Sequence, residues 1–201
     1  MRLFLTAFAA FCLLIGCSEA PAPTKAKEPE KPSEPITGRQ AFQMTYPQAR
    51  IWAADCQPLR IHSLNLENPK SEGGKAGAWE IVYVSPSRSR QRSFTWSAIE
   101  SGSSLHKGVF GGQEDGWSPS RGSQPFLVPA LKIDSPEALK TAIEHSSEYL
   151  KKGGPKPQIT FSCELTTRFP NPVWRVYWGE SVSAAEWSVF VDASTGEYRG
   201  R

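Results

Sequence analysis

Ser135-Pro136-Glu137-Ala138-Leu139-Lys140-Thr141-Ala142-Ile143-Glu144 carries the clearest helix signature in the chain. Ser135 offers a capping oxygen, and Pro136 suits the first helical position because its fixed φ is already helical. Leu139, Ala142, Ile143 and Leu150 then recur at three- and four-residue spacing, until Gly153, Gly154 and Pro155 stop the pattern. Runs rich in β-branched and aromatic residues follow at 159–166, 173–178 and 187–192, with turn residues between them. This half reads as one helix followed by antiparallel strands.

The same order appears nearer the N-terminus. Thr37-Gly38-Arg39-Gln40 has the form of a capping box, and Phe42, Tyr46, Ala49 and Ala53 follow at helical spacing. Pro47 lacks the amide a helix interior needs, so a kink or a split is expected there. Strand-like runs come next at 61–66, 79–84 and 93–98. Ala41 overlays on Ala138, Ile61 on Ile159 and Trp79 on Trp174, at offsets of 97, 98 and 95. Duplication and a chance likeness between two α+β halves both fit so short a list. The expected fold class is α+β, with two tandem helix-then-antiparallel-sheet units packed together. They span 37–107 and 135–201, joined by a Gly-rich connector over 108–134.

Val173-Trp174-Arg175-Val176-Tyr177-Trp178, followed by Ser188-Val189-Phe190-Val191-Asp192-Ala193-Ser194-Thr195-Gly196-Glu197, resembles the strand pair of a PepSY-type domain. That family closes with a strand leading into Asp-Ala-x-Thr-Gly. The resemblance covers 135–198, whereas the first unit has Ser97-Ala98-Ile99-Glu100 at that place and is at most a degenerate copy. The resemblance implies an extracytoplasmic module, in a family linked to peptidase propeptides, surface proteins and sensors, that inhibits or binds a protein partner. Read physically, the motif is a turn: Asp192 can accept from turn amides and Gly196 can take the positive φ that closes it. Asp192 and Glu197 alone fall short of the six or more oxygens calcium prefers.

Met1-Arg2 followed by an almost wholly apolar run to Ile15 has the length and polarity of a secretion signal, short of the roughly 20 residues a spanning helix needs. Leu14-Ile15-Gly16-Cys17 resembles the bacterial lipobox, which implies a signal over 1–16, cleavage after Gly16 and acylation of Cys17. An ordinary cleaved signal with an incidental cysteine is the alternative. Residues 17–36 are then a lipidated cysteine and a Pro-rich tether, which at 3.1 Å per residue reaches up to ~55 Å from the bilayer. Ser18 after the acylated cysteine implies, by family habit, the periplasmic face of the outer membrane. The membrane, met through lipid, is one expected partner.

A net charge of +3, one less once Arg2 leaves with the signal, is too near neutral to suggest nucleic acid as a partner. Cys56 and Cys163 remain as a pair in an oxidising compartment, where they form either a disulfide stabilising by about 4 kcal/mol or two buried thiols. No metal site is expected from two cysteines without histidine neighbours. His62, His106 and His145 fall on a strand, a loop and a helix, in no catalytic motif, so neither catalytic residues nor cofactors are assigned. Arg88, Arg90 and Arg92 bring three guanidinium groups to one hairpin tip, either as a recognition patch for anionic groups or as a solvated turn that protects the sheet. Trp117, amid glycines, is either a plug into the core or a recognition residue. The tryptophans on strands read as core. The functional expectation is a non-catalytic envelope module that binds or regulates a protein or peptide. A structural lipoprotein of an envelope assembly and an envelope hydrolase are the alternatives.

Overall fold

The computed structural model describes residues 34–103, 105–119 and 122–201. The expected signal, the expected acylation site Cys17 and the expected tether up to residue 33 lie outside the described residues. The architecture is mixed: helices and an antiparallel sheet.

Helix α1 runs Gly38–Trp52, started by the expected capping box, in which Thr37 Oγ1 accepts from the Gln40 amide and Gln40 Oε1 from the Thr37 amide. Pro47 neither ends nor splits it. The proline is exposed, so its ring meets solvent, and its cost is confined to the hydrogen bond that the Gln43 carbonyl loses. Helix α2, Ser135–Glu144, corrects the expected cap. Asp134 is the N-cap and Pro136 the second helical residue, because the Ser135 hydroxyl is occupied elsewhere: it accepts from the Gly38 amide at 2.9 Å and donates to the Gly74 carbonyl at 2.6 Å. The expected stripe to Leu150 is broken at His145–Ser146, and a short helix α3 occupies Ser147–Lys151. Ser146 Oγ donates back to the Ala142 carbonyl at 2.6 Å, a contact that bends helices, and accepts the Trp187 indole N–H.

The strands are β1 (Ile36–Thr37), β2 (Gln57–Leu64), β3 (Lys75–Ala76), β4 (Ala78–Ser85), β5 (Arg90–Ser97), β6 (Gly108–Gly116), β7 (Ser123–Gln124), β8 (Ile159–Thr166), β9 (Val173–Trp178), β10 (Trp187–Asp192) and β11 (Tyr198–Gly200). β1 pairs with β3, and the main sheet runs β11-β10-β9-β8-β2-β4-β5-β6 with every neighbour antiparallel. The short β7 pairs with the end of β8. One continuous sheet thus crosses both halves at the β2–β8 pair, where Ile61 faces Cys163 and His62 faces Ser162.

Gly108–Gly116 is not a connector but edge strand β6. Its glycines hide the period-two alternation that announces a strand. At Gly112 the packing needs that absence, since a Cβ there would lie 2.7 Å from Ser93 Oγ.

One sheet face and the helices enclose the core, which includes Trp79, Ile81, Tyr83, Phe94, Phe161, Trp174, Val176 and Val189. Trp79, Trp174 and Trp178 are fully buried, as expected for core. Several contacts recur in both halves. Trp79 Nε1 donates to the Ile36 carbonyl and Trp174 Nε1 to the Ile133 carbonyl, each at 2.9 Å. The Ala98 amide donates to the Gly77 carbonyl at 2.8 Å, and the Ala193 amide to that of Pro172 at 2.9 Å.

Cys56 and Cys163 are free and buried, which overturns the disulfide. Register gives the reason: Cys163 lies opposite Ile61, five residues along β2 from Cys56, so their Cα atoms are about 16 Å apart at 3.3 Å per residue, well beyond bridging distance.

Candidate functional site

The helices pack against the sheet face that carries Trp79 and Trp174, so the opposite face holds the side chains that alternate with the core residues. Register aligns one row of them across six strands: Thr95, Glu80, His62, Ser162, Arg175 and Phe190, on β5, β4, β2, β8, β9 and β10. The adjacent row places Arg60 beside Glu164 at the β2–β8 junction. Between the two rows and the loop after β9 lies a pocket of about 300 Å³, lined by Arg60, His62, Ser162, Glu164, Tyr177 and Glu180.

The electrostatics of this face are mixed. Arg60 and Glu80 form an ion pair at 3.7 Å. Burial, and then the neighbouring Arg60 charge, hold the His62 imidazole below its ordinary value, which favours the neutral ring. Burial pushes the Tyr177 phenol up. Toward β10 the face becomes a stack of guanidinium and aromatic groups: Arg168 and Arg175 both lie over Phe190, at 5.0 and 5.3 Å, and Phe169 packs on Phe190 at 5.3 Å. Two buried polar atoms in the row, Thr95 Oγ1 and Arg175 Nε, lack a hydrogen-bond partner among the described residues. They stand four strand spacings apart, about 19 Å.

The arginines expected to form a recognition patch are held by intramolecular contacts. Arg88 pairs with Glu114 at 2.8 Å, donates to the Trp52 carbonyl and lies over the Trp52 ring. Arg90 reaches the same carboxylate at 3.7 Å, and the Trp52 indole N–H donates to it as well. Arg92 Nε donates to the Gly112 carbonyl at 2.8 Å, and its guanidinium covers Phe94. Glu114, outside every predicted strand and hidden in the glycine stretch, binds this tip to the end of α1. Trp117 is half-buried outside the core cluster, so it is no plug, and its amide donates to the Ser89 carbonyl at 2.9 Å.

The turn motif has the geometry its residues suggest. Asp192, fully buried, accepts at Oδ1 from the Ser194 and Thr195 amides and at Oδ2 from Asn171 and Arg199. Gly196 has φ +80° and donates its amide to the Asp192 carbonyl at 2.8 Å. The histidines are dispersed: His62 is central on the sheet, His106 contacts Glu100 at 2.7 Å ahead of β6, and His145 stacks on Tyr198. Among the described residues no group of three or more His, Cys, Asp or Glu side chains could hold a metal ion, and no helix is long and apolar enough to cross a membrane.

No protein family, curated protein or solved structure matches the chain.

Proposed function

We propose that this chain is a non-catalytic lipoprotein of the bacterial envelope, anchored through Cys17, that binds a protein partner on the sheet face opposite its helices. The observation that carries this reading is the row from Thr95 to Phe190, where charged, hydroxyl and aromatic side chains are arrayed over six strands with two buried polar atoms unsatisfied. Each such atom costs about 1–3 kcal/mol unless water or a partner bonds it. Arginines over aromatic rings are the side chains that dominate protein interfaces.

The architecture behind that face is read as two tandem PepSY-like units. Strand order supports it, since β2, β4, β5 and β6 lie outward on one side of the central pair as β8, β9, β10 and β11 do on the other. The paired indole-to-carbonyl and alanine-amide contacts in each half support it further. Asp192, with its full set of donors, acts as the fold's turn lock and not as a ligand group.

Photocrosslinking in cells tests the reading. A benzoylphenylalanine at Glu80 or Ser188 is expected to trap one defined envelope protein, with Arg175→Ala lowering the yield at Ser188. The same probe at Lys140, exposed on α2, is expected to trap none of it. Equal yields from Lys140 would place the partner elsewhere. Palmitate labelling that persists in Cys17→Ser would remove the anchor.

A further inference from the structure

The hollow of about 300 Å³ on the open sheet face holds carboxylates that no other side chain answers. β2 lines it with Arg60 and His62, β8 with Ser162 and Glu164, and β9 and the loop after it with Tyr177 and Glu180. Ser162 and Glu164 alternate with the core residues Phe161 and Cys163, so both project from one face of β8, about 6.6 Å apart at 3.3 Å per residue.

The lining cation is Arg60. It stands opposite Glu164 in register, yet its guanidinium turns to Glu80, at 3.7 Å. Glu164 and Glu180 form no ion pair and accept no hydrogen bond among the described residues. Arg175, the next cation, is not part of the lining: its guanidinium lies over the Phe190 and Tyr177 rings, at 5.3 and 5.9 Å, and its Nη2 donates to Ser188 Oγ. Burial favours the neutral His62 ring, which adds no opposing charge. Two free carboxylates therefore dominate the hollow. Ser162 marks its floor. It is 5% exposed, and its hydroxyl has no hydrogen-bond partner among the described residues, where buried hydroxyls ordinarily have one.

We propose that this hollow takes the ammonium of a lysine side chain of the partner protein, with Glu164, Glu180 and the Ser162 hydroxyl accepting its three N–H bonds; this rests on the reading of the open sheet face as the partner-binding one. Charge and donor geometry select this occupant. An ammonium is a point charge with three donors, which suits three acceptors on separate residues. A guanidinium is a planar fork that suits a single carboxylate. Calcium prefers six or more oxygens. An anion would meet two carboxylates, and a zwitterion would need the guanidinium that Glu80 already holds. The lysine stem finds an apolar wall in Val182, which is exposed in the lining.

The test titrates the purified full chain with Nα-acetyl-lysine methylamide, followed by two-dimensional amide NMR. Saturable shifts at the Ser162, Glu180 and Val182 amides are expected, with affinity lowered at least five-fold by Glu164→Gln and by Glu180→Gln. Glu180 is exposed in a loop, so its variant should match the parent in circular dichroism. The norleucine analogue, which has the same stem and no ammonium, and the arginine analogue should each bind at least five-fold more weakly. Equal binding of either analogue, indifference to both variants, or no saturable shift would each overturn the proposal. In cells, Glu180→Gln should lower the photocrosslink from Ser188 at least three-fold. A full-strength crosslink in that variant would remove the lysine contact and leave the face reading standing. No crosslink in the parent, beside a positive titration, would remove the face reading and with it the partner's lysine, leaving a site for a free amine.

Discussion

Trp79 and Trp174 meet edge to face, with ring centroids 6.4 Å apart and planes at 74°, and each donates its indole N–H to the carbonyl two residues ahead of a helix. Each ring therefore fastens its own half's helix entry to the sheet while packing on the other ring. Trp79→Phe and Trp174→Phe should each cost about 2 kcal/mol, through lost volume and a carbonyl left without its donor. Because the rings touch, the double variant should depart from additivity by at least about 0.5 kcal/mol. Urea midpoints of the four proteins check this, with unchanged slopes showing that the unfolding reaction is the same.

Six of the main strands and both principal helices were legible as periodicity, because buried strand residues here are β-branched or aromatic and the helix caps are polar and local. Less legible was anything set by contacts far along the chain. Ser135 and Asp134 are equally good caps in sequence, and only the Gly38 amide across the molecule decides between them. The row through Glu80, His62, Ser162 and Arg175 exists only through strand register, which no local pattern states. Arg88, Arg90 and Arg92 looked free because their partner, Glu114, sits on a strand disguised by glycine.

Asp55 predicts a pH effect. Its hydrogen bonds from the Ser85 hydroxyl, then from the Ser87 amide, lower its carboxyl from 3.8 to about 2. A folded-state value below the unfolded one stabilises fully above the unfolded value and is lost as pH falls through the folded value, here between about pH 4 and 2. Asp55→Asn should therefore cost about 1 kcal/mol at pH 7 and little at pH 2. Denaturant midpoints of the two proteins at those pH values should converge on the acid side. A constant difference would assign the effect to packing.

Gly196 holds φ +80° at the end of the Asp192 turn, with Ile133 Cδ1 3.4 Å from where a Cβ would stand. Alanine fits that space but not that backbone, so Gly196→Ala should destabilise by about 1–2 kcal/mol. Gly153, exposed, with nothing near its Cβ position and no positive φ, is the matched control. Gly153→Ala should change the thermal midpoint by no more than a degree or two.

Free thiols at Cys56 and Cys163 lead to a chemical prediction with a direction. Burial raises both thiols above the ordinary cysteine value, most strongly at Cys163, and they are 4% and 0% exposed, so the reactive thiolate is scarce and shielded. Iodoacetamide should label neither quickly in the native protein and both in urea, without prior reduction. Mass spectrometry of tryptic peptides reads this directly, and a bridged peptide pair under non-reducing conditions would contradict the strand register itself. Reductant should leave the thermal midpoint unchanged, since no cross-link constrains the unfolded chain. Cys163→Ala should instead destabilise by about 1 kcal/mol, because it removes a small apolar group between Ile61 and Trp174 at the one strand pair that joins the two halves of the sheet.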